Sequence, residues 1–187
     1  LDTRAAIFKD EKILLVQDPD ADGYTSTAII YNYLKDCYKE EITNRIIIIF
    51  QENKEHGIPV KTVEDIMGEH NVDLIIAPDC SSNEYDVHKY ILEKLNIPIV
   101  ILDHHDAPKF SEYATMVNIS LDDYPNKKLS GAGVCLKFAA LYDKMYGFDH
   151  SEKYYDLAAI GIVGDMIEIN TLETIYIVQQ GMRNIHN

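Results

Sequence analysis

Long apolar runs are missing from this sequence: none approaches the roughly 18 residues that a membrane-spanning helix requires, so no membrane partner is expected. No signal peptide is recognisable, and the stretch begins at Leu1 rather than with methionine, as an excised fragment would. Cysteine is scarce. Cys37, Cys80 and Cys135 are widely spaced, which excludes a paired zinc motif and a disulfide framework and points to a reducing, cytoplasmic home. Positive charge is scarce too: 17 Lys and Arg face 31 Asp and Glu, a net charge of -14. That balance argues against a generic nucleic-acid coat protein, because phosphate binding normally needs a basic face. It leaves room for a nuclease built on metals, since two divalent cations cancel about four negative charges where the substrate sits.

What is present is an alternation. "KILLVQD" (Lys12–Asp18), "RIIIIF" (Arg45–Phe50), "VDLIIAPD" (Val72–Asp79) and "IPIVILD" (Ile97–Asp103) read as buried strands, with "TMVNI" (Thr115–Ile119) a shorter fifth. Unbroken Ile/Leu/Val runs suit a parallel sheet covered on both faces. Between them Tyr24–Lys39, Val60–His70 and Asn83–Leu95 carry helical spacing, with Thr62 and Asn83 as expected caps; Gly131–Tyr146, Ser151–Val163 and Leu172–Ile185 make the last part helical. The expected fold is α/β, an open, mainly parallel five-stranded sheet with helices on both faces and a helical C-terminal part. The length of 187 residues fits one domain.

Open α/β sheets bind ligands beyond the carboxyl ends of their strands, and Asp18, Asp79 and Asp103 each end a predicted strand. In "VQDPDADGYTSTAI" the residues Asp18, Asp20, Asp22 and Gly23 fill positions 1, 3, 5 and 6 of a calcium loop. Position 12 is then Ile29 instead of glutamate, and a strand precedes the loop, so the calcium-loop reading fails. A solvated acidic turn is the plainer alternative, yet it does not explain why the cluster follows an apolar strand. In "VILDHHDAP" the adjacent His104 and His105 point in different directions, so one can ligate a metal while the other meets a substrate. Asp79 of "IAPDCSS" could bridge two ions, with Ser81 or Ser82 capping the next helix. Asp165 interrupts the apolar "AAIGIVGDMI", where a buried carboxylate needs a partner or a metal. Oxygen-rich ligands with one or two imidazoles suit Mn²⁺ or Mg²⁺, and so many carboxylates suit a pair of ions.

In that order, "DPDADG", "PDCSS", "DHH" and "GD" resemble the four motifs of the DHH phosphoesterase superfamily, and "LSGAGVCLKF" and "LAAIGIVGDMI" are similar to the RecJ-type single-strand-specific exonucleases. The resemblance implies a metal-dependent phosphodiesterase that hydrolyses single-stranded DNA from an end, in the 5′→3′ direction, by two-metal in-line attack of water. It implies two Mn²⁺ ions, with Mg²⁺ as substitute. Asp20 and Asp22 each bind one, Asp79 bridges both, His104 and Asp165 complete the second site and Asp18 supports the first. Catalysis falls to Asp79, His104, His105 and Asp103, with His105 on the scissile phosphate and Asp103 orienting a ligand histidine. Ser81, Lys54 and the Ser130, Gly131 and Gly133 turn join His105 as substrate contacts. Other readings are hydrolysis of short oligonucleotides or cyclic dinucleotides, and an inactive nucleic-acid-binding scaffold. Two departures stand out. Val16 sits where many relatives carry histidine, and "QENKEHGI" offers Gln51, Lys54 and His56 where RecJ-type enzymes usually place an arginine. The chain is expected to be the catalytic domain, residues 1–187, without the DHH-associated substrate-binding domain.

Overall fold

The computed structural model describes residues 12–51 and 56–185. Five parallel strands lie in the order β2-β1-β3-β4-β5. They are β1 (Ile13–Gln17), β2 (Ile46–Phe50), β3 (Leu74–Pro78), β4 (Ile99–Asp103) and β5 (Thr115–Asn118). The helices are α1 (Ala21–Tyr38), α2 (Val60–Glu69), α3 (Tyr85–Tyr90), α4 (Gly131–Tyr146), α5 (Tyr155–Gly164) and α6 (Leu172–Asn184), with short turns between. The expected open parallel sheet is therefore the observed one.

Alternation along the strands splits the core in two. Ile13 and Leu15 of β1, Leu74 and Ile76 of β3, and Val100 and Leu102 of β4 pack under α1, α4 and α5. Leu14, Val16, Ile75, Ala77, Ile99 and Ile101 face the other way, under α2 and α3. Ile13, Leu14, Leu15 and Val16 are fully buried, each contributing about 1.5–3 kcal/mol. A strand buried on both sides has no polar face, hence the unbroken apolar runs.

Two helix starts and one cap differ from expectation. α1 begins at Ala21 because Asp20 caps it, its carboxylate accepting the Gly23 N–H at 2.9 Å. Half of the expected aspartate loop is thus the first turn of a helix. Pro59 occupies the cap position of α2, leaving Thr62 inside that helix. Asn83 does not cap α3: Glu84 holds that position, and the Asn83 amide donates to the Asp106 carbonyl. α3 itself gives way to a π-helical turn over Ile91–Leu95. Among the described residues, no helix is long and apolar enough to cross a membrane.

The chain leaves β1 for β2 on one side and reaches β3 on the other. The carboxyl ends of β1 and β3 therefore flank the crevice where connections diverge, the place where such sheets bind ligands.

Candidate metal centre

β1, β3 and β4 deliver Asp18, Asp79 and Asp103 to that crevice, each no more than 1% exposed. Asp79 takes a left-handed φ of 63°, and Ser81 one of 77°. This is an uncommon backbone for side-chain-bearing residues, tolerated best by Asp and Asn. The turn aims the Asp79 carboxylate back over the rim.

Three groups of candidate donors form among the described residues: Asp79, Asp103, His104 and His105 make one, and the other two hold the expected ligands. Oxygens of Asp18, Asp20 and Asp79 lie within 4.8 Å of one another, and so do single ligand atoms of Asp22, His104 and Asp165. His104 Nε2 joins the groups, 3.2 Å from Asp79 Oδ1 and 3.6 Å from both Asp22 Oδ2 and Asp165 Oδ2. All six residues expected as metal ligands thus meet at one rim. One detail differs: Asp165 is not buried, its side chain being 35% exposed after the end of α5.

Asp22 is fixed by helix packing. It accepts the backbone N–H groups of Gly131 at 2.7 Å and Ala132 at 3.1 Å, at the start of α4. That approach requires glycine. A Cβ on Gly131 would stand 2.3 Å from Asp79 Oδ1, and one on Gly161 2.3 Å from Asp22 Oδ1. The Gly133 N–H goes to the Ser130 hydroxyl, and Ser130, Gly131 and Gly133 are all buried. The substrate role expected of these three is corrected accordingly: the N–H groups that could cradle a phosphate hold a carboxylate instead.

Asp103 Oδ1 accepts the backbone N–H of His104 at 2.7 Å and His105 Nδ1 at 2.7 Å, while Oδ2 accepts the Ser82 N–H at 3.2 Å. Its ring partner is His105, not the candidate ligand His104, which corrects the expected pairing. Burial alone would raise the Asp103 pKa, but the His105 bond and its charge outweigh that and bring it to about 2. The same bond, against burial, lifts His105 to about 9. His105 is 53% exposed and faces a cleft of about 330 Å³, lined also by Asp18, His56, Asp79, Ser82 and Asp103.

Ser81 lines this cleft too, yet its hydroxyl is committed to Glu84 and, at 3.1 Å, to buried His88. The expected substrate contact at Ser81 is replaced by a structural one. Lys54 lies outside the described residues. Sequence reasoning missed Asn118, a buried polar residue ending β5. Its amide donates to Ser82 Oγ at 2.7 Å and to the His105 carbonyl at 2.9 Å, tying the histidine loop down. The signal was a polar residue closing an apolar strand.

Asp79 tests whether the site suits a cation. Its Oδ1 is buried with no hydrogen-bond partner. Burial first, then the charges of Asp22 and Asp103, push its pKa up to about 11. Burial likewise raises Asp18 and Asp165. A buried carboxylate in this state is costly unless a positive charge compensates it, and an oxygen-rich set with one imidazole is the chemistry of Mn²⁺ or Mg²⁺. The residues fit.

A parallel sheet carrying carboxylates and a histidine pair at its switch point defines an α/β scaffold suited to holding metal ions. A profile of the DHH family, N-terminal domain, matches residues 12–162, and the chain belongs to that family. A prophage protein of Bacillus subtilis (strain 168), provisionally named single-strand DNA-specific exonuclease YorK, is 39% identical over 176 residues, 93% of this chain and 29% of that protein. The single-stranded-DNA-specific exonuclease RecJ of the same organism is 27% identical over 172 residues, 89% of this chain and 20% of RecJ. The chain thus spans less than a third of either relative. A crystal structure of exonuclease RecJ bound to manganese shares the fold, with a TM-score of 0.79, 23% identity, and coverage of 96% of this chain and 45% of that one. RecJ from Thermus thermophilus, solved with Mn²⁺, matches at a TM-score of 0.77 and 22% identity, over 96% of this chain and 25% of that one.

Proposed function

We propose that residues 1–187 form the catalytic domain of a cytoplasmic nuclease that hydrolyses single-stranded DNA from an end, 5′→3′, with two divalent cations, Mn²⁺ by preference. One observation carries the reading: two donor groups meet at the switch point, and Asp79 lies within reach of both. The names of the relatives support the substrate, and three free cysteines suit a reducing compartment.

Asp18, Asp20 and Asp79 would hold one cation; Asp22, Asp79, His104 and Asp165 the other. When bound, the pair supplies a water of lowered pKa and neutralises charge developing on the phosphoryl oxygens. The chain does the rest by positioning. Asp103 fixes the His105 ring. In metal-free protein the Asp103 bond lifts His105 to about 9, favouring the protonated ring that would face a phosphate in the cleft. The α4 N-terminus keeps Asp22 from turning away. Net charge elsewhere is negative, so a polyanion is held at this rim through the compensated site.

The direct test incubates the protein, with Mn²⁺, on single-stranded and duplex DNA labelled at one end. Release of mononucleotides from the 5′ end of the single strand, abolished by chelator, supports the reading. Binding without turnover, or equal cutting of duplex, contradicts it.

A further inference from the structure

The two donor groups differ in kind. Asp22, His104 and Asp165 include an imidazole, whereas Asp18, Asp20 and Asp79 are carboxylates alone. A second imidazole stands beside the first group. His56, on the loop after β2, places Nδ1 at 2.9 Å from Asp18 Oδ2 and 3.1 Å from Oδ1.

The loop is held where it carries this ring. The Gly57 carbonyl accepts the Gln51 amide at 2.7 Å, and the Ile58 N–H donates to Glu84 Oε2 at 2.8 Å. Glu84 is fastened in turn by the Ser81 hydroxyl, two residues beyond Asp79. Gly57 has no room for a Cβ, which would lie 2.2 Å from the Glu84 carboxylate. His56 is thus tied through Glu84 and Ser81 to the segment that carries Asp79, although its own ring is 65% exposed. Exposure of that kind gives the ring little to do for folding.

We infer that His56 is the imidazole ligand of the first cation, completing a set of Asp18, Asp20, Asp79 and His56. This rests on the two-cation reading above. Neighbouring ligands on an octahedral ion with bonds of about 2.1 Å are about 3 Å apart. The His56–Asp18 spacing already matches one such edge, and the exposed ring has still to turn towards Asp20 and Asp79, whose oxygens group with Asp18 but not with His56. The buried Asp79 Oδ1, which makes no hydrogen bond and has the His104 Nε2 at 3.2 Å, is a separate sign that this rim takes a cation. Each ion then has one imidazole, His56 on one side and His104 on the other.

Mn²⁺ titration followed by electron paramagnetic resonance tests this without any turnover. Free Mn²⁺ gives affinities and stoichiometry; pulsed measurements report imidazole nitrogen coupled to the bound ions. The wild type should bind two ions and show nitrogen coupling that His104→Ala only partly removes. His56→Ala should weaken one site by at least the 10–100-fold typical of lost support around a metal, remove the remaining coupling, and leave the tighter ion unchanged. His56→Gln, of similar reach, should behave alike, and unchanged circular dichroism in both variants checks folding. Two ions bound with unchanged affinities in His56→Ala, or coupling lost entirely in His104→Ala, would overturn the role of His56 and leave the two-cation reading standing. Failure of the wild type to take up two ions would overturn both.

Discussion

The two donor groups at the rim are built by different means. Asp22 sits in a junction of three helices: α1 carries it, two N–H groups of α4 bind it, and α5 passes so close at Gly161 that only glycine fits. Asp20 is an exposed cap, and Asp18 is held by a histidine on a loop. One half is therefore packed into the core and the other is attached to it. On the proposed two-cation reading, Asp79 would join a rigid half and an adjustable half in one site. Pre-organised ligands lose less freedom on binding, so the helix-packed half should bind its cation more tightly.

Asp79→Ala should have the largest effect, because both halves lose their common oxygen donor. Turnover should fall by more than ~100-fold, beyond what lost outer support costs a metal site; a tenth of the wild-type rate retained in a single-turnover assay would break the link between the halves. Next comes Asp103→Asn, which frees the His105 ring. The His105 titration, followed by NMR, should drop from about 9 towards an ordinary 6.5, with turnover down ~10–100-fold and Mn²⁺ affinity little changed. A parallel loss of affinity would show that His105 supports the ions directly.

Gly161→Ala sharpens the comparison by striking the packed half alone. The added methyl forces Asp22 or Thr25 aside, costing about 1–3 kcal/mol and a melting temperature lower by several degrees. The tighter Mn²⁺ site should weaken while the other holds. The smallest effect concerns pH. In metal-free protein Asp79 has a folded pKa of about 11 against an ordinary 3.8. The unfolded chain therefore releases this proton first, and the stability it lends is full below about pH 3.8 and lost as pH rises towards 11. Denaturation in chelator at about pH 5, 7 and 9 should show a shallower decline for Asp79→Asn than for wild type. Equal slopes would mean that the carboxylate is ionised without a cation.

Much of this was legible in the residues. Apolar runs without alternation fit strands buried on both faces, which holds for β1, β3 and β4 but not for the edge strand β2, part-buried and ending on exposed Phe50. Carboxylates ending three of the runs share a rim because the sheet is parallel. What escaped depended on contacts between distant segments. The Ser130–Gly133 turn carries the same N–H donors whether its acceptor is a phosphate or Asp22, and only the fold chooses. Asp20 looks like a loop ligand until its carboxylate is seen capping α1. His56 lies 38 residues from Asp18, and no local spacing links the two. Asn118 reads as the end of a strand, while its value lies in what it ties together.

The shared site is tested most directly by anomalous diffraction from crystals of the protein soaked in Mn²⁺. Two peaks about 3.5–4 Å apart, with Asp79 oxygens reaching both, are the expected result. A single peak, or two ions of which only one touches Asp79, would contradict it.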